Sequence, residues 1–284
     1  MNEVVDQALQ TVAPLPDNIQ RLIEMINDPR TGSDDIATIV HQDPVLATKA
    51  LHLCNSVYYS LPVEVTSIYQ AVKFLGMDMI TGLAMAAYFQ NQLQPSRKDA
   101  DNPWLKGTRS HIMSTAQFTE YFVREMCRSD DDSLALAFTA GLLHDIGKLA
   151  LSGLSGDAAA RVKEAMQAKD ISLHEAEREV LGTDHAEVGW HLAQRWTIPG
   201  IVEDAITYHH APFRGQHDIS LVVFICDTVV HGLSSMKRGS TMYVPVMLYD
   251  ALGELEMTKK DLVSLIHRWI ALQKHNQSHA CASA

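Results

Sequence analysis

The chain has 284 residues, of which 46% are hydrophobic, and a net charge of −11 at pH 7. That apolar share over that length supplies a large core. The acidic balance, with "SMKRG" as the longest basic cluster, argues against a nucleic-acid-binding surface. Residues 1–12 lack the basic start and apolar centre of a signal peptide. The runs "LALAF" and "LVVFIC" are too short to span a bilayer. The four cysteines (Cys54, Cys127, Cys226, Cys281) show no paired spacing and read as reduced residues of a cytoplasmic protein.

Taken in chain order, the pattern is helical almost throughout. "LPDNIQRLIEMIND" places Pro16 in a first turn and repeats apolar residues at Ile19, Leu22, Ile23 and Ile26. "GSDDIATIVHQ" begins at a Ser/Asp cap, and "DPVLATKALHLCN" pairs an Asp cap with Pro44 at the first helical position. "TSIYQAVKFLG" stops at Gly76, and another helix follows after almost no loop. Residues 94–103, polar with two prolines, mark a boundary between a subdomain at 1–95 and a second at 104–275, with a frayed tail at 276–284. Helices are expected over about 104–127, 132–151, 155–168, 172–181, 184–196, 199–210, 217–235 and 258–274. The one at 172 opens with the capping-box pair Ser172 and Glu175. No stretch alternates as a strand does, so the fold class is all-α: a multi-helix bundle.

In the midst of this lies "GLLHDIGKLAL", a His-Asp pair inside an apolar run. A carboxylate and an imidazole buried there need partners, either each other and the backbone or a metal. Asp227 in "VVFICDTVVHG" raises the same question. His191 and His231, alone on apolar helices, read as hydrogen-bonded core residues. His41 and His52 read as packed or surface histidines.

The pieces LP-x-x-I, "QDPVL", "L-x-x-x-NS-x-Y" and "I-x-x-A-V-x-x-LG" across residues 14–80, followed by "HDIGKL", "DHAEVGWHLAQRW" and "HH", closely resemble the HDOD family of bacterial signalling proteins. "HDIGKL" also resembles the wider HD superfamily of metal-dependent phosphohydrolases, including the HD-GYP type. The resemblance implies an HD-like bundle behind an N-terminal helical HDOD subdomain. It further implies a binuclear ligand set of His111, His144, Asp145, His185, His209, His210 and Asp227, with Asp145 bridging. Imidazole and carboxylate suit one or two divalent transition ions, whether Fe, Mn, Zn or Ni. The implied activity is hydrolysis of a phosphomonoester or phosphodiester by a metal-bound hydroxide. In that reading Asp145 is catalytic, and His210 or Lys148 orients the substrate or protonates the leaving group. Lys148 either meets a phosphate or reaches solvent, with solvent preferred. Gly147 is expected to permit close helix approach.

The chain departs from the HD-GYP pattern in two places. "APFRGQHD" follows His209-His210 with neither GYP nor a glutamate, and Gly107 stands where some three-metal relatives carry a glutamate. Both departures argue against hydrolysis of cyclic di-GMP. The HDOD family is regarded as a regulatory and protein-interaction module, so the expectation is a signal-transduction protein that retains an HD-type metal site, with active phosphoester hydrolysis as the alternative. Its partners would be signalling proteins or a phosphorylated small molecule or nucleotide, with no membrane involved.

Overall fold

The computed structural model describes residues 2–55, 63–92, 102–126, 131–237 and 244–282. Among them every regular element is helical, as the patterning implied. The helices are α1 (Glu3–Thr11), α2 (Asp17–Ile26), α3 (Ser33–Gln42), α4 (Pro44–Cys54) and α5 (Ile68–Gln92), then α6 (Thr108–Met126), α7 (Asp131–Leu143), α8 (Gly147–Ser152), α9 (Gly156–Lys169) and α10 (Leu173–Leu181), and last α11 (His185–Arg195), α12 (Gly200–Tyr208), α13 (Ile219–Lys237), α14 (Met247–Glu254) and α15 (Lys259–Ala282).

Local chemistry sets the boundaries. Asp43 caps α4 by accepting from the amides of Val45 and Leu46, with Pro44 next in line. Asn55 at the far end holds Val65 through both backbone groups, at 2.7 Å each, so the two ends of the intervening segment are tied together. Its neighbour Ser56 lies outside the described residues. Gly76 adopts φ +79° and ψ 163° in the middle of α5 and kinks it sharply, a backbone state that side chains resist. The stop expected at Gly76 and the immediate restart are both seen there.

α2 to α4 pack on α5, and α5 packs on α7; α6 and α13 close over the other side of α7. One core cluster, running from Val5 to Ile206 and including Leu22, Ile36, Ile80, Trp104, Phe138 and Leu192, draws on both the N-terminal and the later helices. Burying each such side chain contributes roughly 1.5–3 kcal/mol. The boundary expected at 94–103 falls mostly outside the described residues.

Several elements differ from expectation. The helix expected over 132–151 is broken at residues 144–146, where i→i+3 hydrogen bonds replace the helical ladder (Ile146 N–H to Leu143 O, Lys148 N–H to Asp145 O). The helix after Trp104 begins only at Thr108, past Gly107 with φ +78°. α12 ends at Tyr208, so His209 and His210 follow the helix rather than close it. α15 continues through Ala282 rather than stopping at 274. α1 and α14 were not anticipated, although Val5 and Ala8 in the first, and Leu248, Ala251 and Leu252 in the second, carry helical spacing and are buried. α1 lies on α8 and α11, far away in sequence.

Cys54 and Cys226 are free and buried, as their patterns implied. His41 and His52 are surface residues. His231 is exposed on α13 and His191 is half-buried, so neither is the core residue expected. Ile219–Met236 of α13 is one described helix long and apolar enough to cross a membrane, with a mean hydropathy of 1.7. The run "LVVFIC" therefore belongs to a longer apolar element than its own length indicated. Val223, Ile225, Cys226 and Val229 of that helix are buried in the protein, and it packs on α6, α7, α12 and α14.

Candidate metal centre

Seven side chains from five places in the chain converge at one end of α7. The turn after α7 delivers His144 and Asp145, both buried. α6 supplies His111, α11 opens with His185, the turn after α12 supplies His209 and His210, and α13 supplies Asp227. Gly147 is what lets these elements meet: a Cβ there would overlap the carbonyl oxygen of His185 and crowd the amide of Gly189 at 2.7 Å. The close helix approach expected of Gly147 is therefore present, between α8 and α11.

The donor atoms form two groups, His111–His144–Asp227 and His185–His209–His210, each compact enough to hold one ion. Asp145 stands between them. Its Oδ2 is 3.6 Å from His111 Nε2 and 3.4 Å from His144 Nε2, whereas its Oδ1 is 3.3 Å from His185 Nε2 and 3.8 Å from His209 Nε2. One oxygen thus faces each group. Asp227 Oδ1 is 2.8 Å from His111 Nε2 and 3.7 Å from His144 Nε2.

Outer partners fix which ring nitrogen is available. His144 Nδ1–H donates to Gly141 O at 2.7 Å, and His209 Nδ1–H donates to Ile206 O at 2.9 Å. His185 Nδ1–H donates to Glu177 Oε2 at 2.6 Å. In the neutral rings Nε2 is then a bare lone pair facing the centre. His144 Nε2 is buried without a hydrogen-bond partner. His185 Nε2 lies 3.3 Å from His209 Nε2 and 2.9 Å from His210 Nε2. Lone pairs brought that close repel unless a cation or a proton sits among them, so the residues present fit a metal.

The electrostatics agree. Burial opposes charge on Asp145, yet the Lys148 ammonium and His144 hold its carboxyl well below the usual range. Asp227 is also lowered despite burial, through its hydrogen bond with His111. Burial pushes His209 down to about 3, and the neighbouring His144 and His185 add to the shift. Burial and His209 hold His210 well below the ordinary value. For His185, burial is outweighed by the Glu177 carboxylate, which raises it to about 9. Without an ion, a proton on His185 Nε2 can therefore be shared with His210. A cation must displace that proton, so metal affinity should rise about tenfold per pH unit up to about pH 9. Calorimetric titration in two buffers of different ionisation enthalpy should show about one proton released per ion at neutral pH from the three-histidine group.

Lys148 does not reach solvent: its Nζ donates to Asp145 Oδ2 at 2.6 Å, with the side chain 14% exposed. The tightened turn places the two residues side by side and gives the buried carboxylate a counter-charge. The sequence reading missed Glu177, wholly buried, which accepts from Trp104 Nε1 at 2.7 Å and from the His185 amide at 2.9 Å as well as from its ring. The signal was present. Leu173, Ala176, Glu177, Val180 and Leu181 form one helical stripe in which Glu177 is the only carboxylate. His174, stacked on His210, was missed as well.

A family model for the HDOD domain matches residues 12–212. An uncharacterised protein of Treponema pallidum is 26% identical over 227 residues, covering 78% of this chain and 42% of the Treponema protein. The chain therefore spans less than half the length of that relative. Among solved structures, an HDOD domain protein of Geobacter sulfurreducens, itself of unknown function, aligns with a TM-score of 0.68 at 22% identity, covering 96% of each chain. A candidate phosphohydrolase of Shewanella amazonensis aligns with a TM-score of 0.68 at 23% identity, over 97% of this chain and 96% of that one. Both alignments show a common fold.

Proposed function

Because the chain belongs to the HDOD family, we propose that it is a bacterial signal-transduction protein that keeps a two-ion HD-type centre and uses it on a phosphorylated small molecule or nucleotide. The observation that carries this reading is the convergence of two donor groups on the two oxygens of Asp145, with His144 Nε2 buried and unpartnered. His111, His144, Asp227 and Asp145 Oδ2 would hold one ion; His185, His209, His210 and Asp145 Oδ1 would hold the other. Divalent cations in such a centre supply stabilisation of charge on phosphoryl oxygens and a nucleophile at neutral pH.

A second reading, turnover of a phosphoester, is favoured by Lys148. Its ammonium sits against the shared carboxylate and is raised above its ordinary value: burial opposes the charge, but Asp145 outweighs it. It is therefore a fixed positive donor beside both groups, suited to orienting a phosphate oxygen. His111 and Asp227 keep some exposure, and exposed His231 lies with its ring 6.3 Å from that of His111. The first donor group is thus the one nearest to solvent on that side.

The test begins with elemental analysis of protein purified without a His-tag or chelators, followed by assay of bis(p-nitrophenyl) phosphate hydrolysis. About two transition ions per chain, with hydrolysis abolished in His144→Ala, supports the enzyme. Bound ions without hydrolysis, together with retained nucleotide binding, supports a regulatory centre. Protein that holds no ion, and to which none can be restored, overturns the proposal.

A further inference from the structure

The helix best placed to control the three-histidine group carries none of its ligands. α10 presents His174 and Glu177, three residues apart and so on one face. Glu177 binds both the ring and the amide of His185. His174 stacks nearly parallel on His210, with ring centroids 4.5 Å apart and planes at 22°. His210 has no other support of this kind: among the described residues no carbonyl or carboxylate meets its Nδ1, whereas His144, His185 and His209 each have one.

His174 is itself anchored. The Ser172 hydroxyl donates to Glu175 Oε2 at 2.6 Å and lies 3.1 Å from His174 Nδ1, so the ring donates to the Ser172 oxygen. That serine and Glu175 form the capping box that starts α10. The far end of the helix is also held: Arg161 donates to Val180 O, and Asn2 donates to the carbonyls of Leu181 and Gly182. Asp184, which caps α11, pairs with Arg178 of α10. A rigid element bearing two supporting side chains is what a preorganised ligand set requires.

We propose that α10 is the positioning element of the three-histidine group, with His174 setting the plane of the His210 ring by stacking and Glu177 setting His185. The assignment rests on the two-ion reading above and extends it by making the two ion sites separately tunable. His174 and Glu177 of α10 contact His210 and His185 of the second group, so changes there should leave the His111–His144–Asp227 group intact.

The test compares His174→Ala with His174→Phe, which keeps a flat ring for stacking. Ion-binding titrations on wild type and both variants should show the ion of the three-histidine group lost about 10–100-fold more easily in His174→Ala. The other ion should be unchanged, and affinity should be largely restored in His174→Phe. Imidazole nitrogen NMR on ion-free protein supplies a readout that needs no metal. His210 signals should move in His174→Ala while those of His111 and His144 stay. Unmoved His210 signals, or equal weakening of both ions, overturn the assignment. Wild-type protein that binds no ion overturns the two-ion reading and leaves the NMR result to decide the role of α10.

Discussion

Asp145→Asn protein is expected to lose both ions together, each bound more than about 100-fold more weakly than in wild type. This exceeds the 10–100-fold typical when an outer partner is removed. The reason is the division of the carboxylate, one oxygen towards His111 and His144, the other towards His185 and His209. Asparagine keeps the volume and one acceptor, which can still take the Lys148 hydrogen bond, so the fold should survive. It loses the second anionic oxygen and places an N–H pair against imidazole lone pairs. His210→Ala, by contrast, should cost only the ion held by the three-histidine group. Elemental analysis after dialysis separates the two outcomes. Retention of one full ion by Asp145→Asn would show that the carboxylate serves a single site.

Glu177→Ala is expected to be the most destabilising substitution outside the seven clustered residues themselves. It strips the acceptor from three buried donors at once: Trp104 Nε1–H, the His185 amide and His185 Nδ1–H. Removing one member of a buried charged network costs about 3–5 kcal/mol, and a chain of this size melts ~2–4 °C lower per kcal/mol. A fall in Tm of about 10 °C is therefore expected in the ion-free protein, measured by circular dichroism in chelator. Glu177→Gln, which keeps an acceptor, should recover much of it. A loss below ~3 °C in the alanine variant would mean that the donors find other acceptors.

What the sequence made legible follows from how each feature is encoded. The clustered residues were readable because an imidazole or carboxylate on an apolar helix is conspicuous and because the motifs that hold them are compact. His144, Asp145 and Asp227 stood out on those grounds alone. Glu177 was equally conspicuous on the apolar stripe of α10, but exposed Glu175 and Glu179 on either side hid it among surface glutamates until the buried face of the helix was known. Lys148 could not be placed from its spacing. Its direction depends on a break at 144–146 that a continuous helical pattern does not announce, because the apolar period of α7 runs on into α8. His231 shows the converse: it sits one turn beyond Asp227 on a helix that reads as core, and the end of that helix is where the packing opens. The polar stretch before Trp104 marks a boundary in composition, whereas core packing passes between the helices on either side of it. Composition along the chain records hydration of a segment and says little about which helices share a core.

The seat of α1 has a consequence for the order of synthesis. Its buried Val5 and Ala8 face α8 and α11, and Thr11 Oγ1 lies 3.0 Å from the carbonyl of Ala150, 139 positions later. At ~5–20 residues per second, a ribosome needs roughly 7–30 s to make that stretch. α1 thus leaves the ribosome long before the helices that seat it. Its apolar stripe waits in the open until the segment carrying His144, Asp145 and Gly147 has emerged. When it docks, Asn2 also ties down the turn from which His185 begins. α1 acts as a late clasp on α8 and α11, so whatever delays its docking delays the closing step rather than the earlier folding of the helices it seats on.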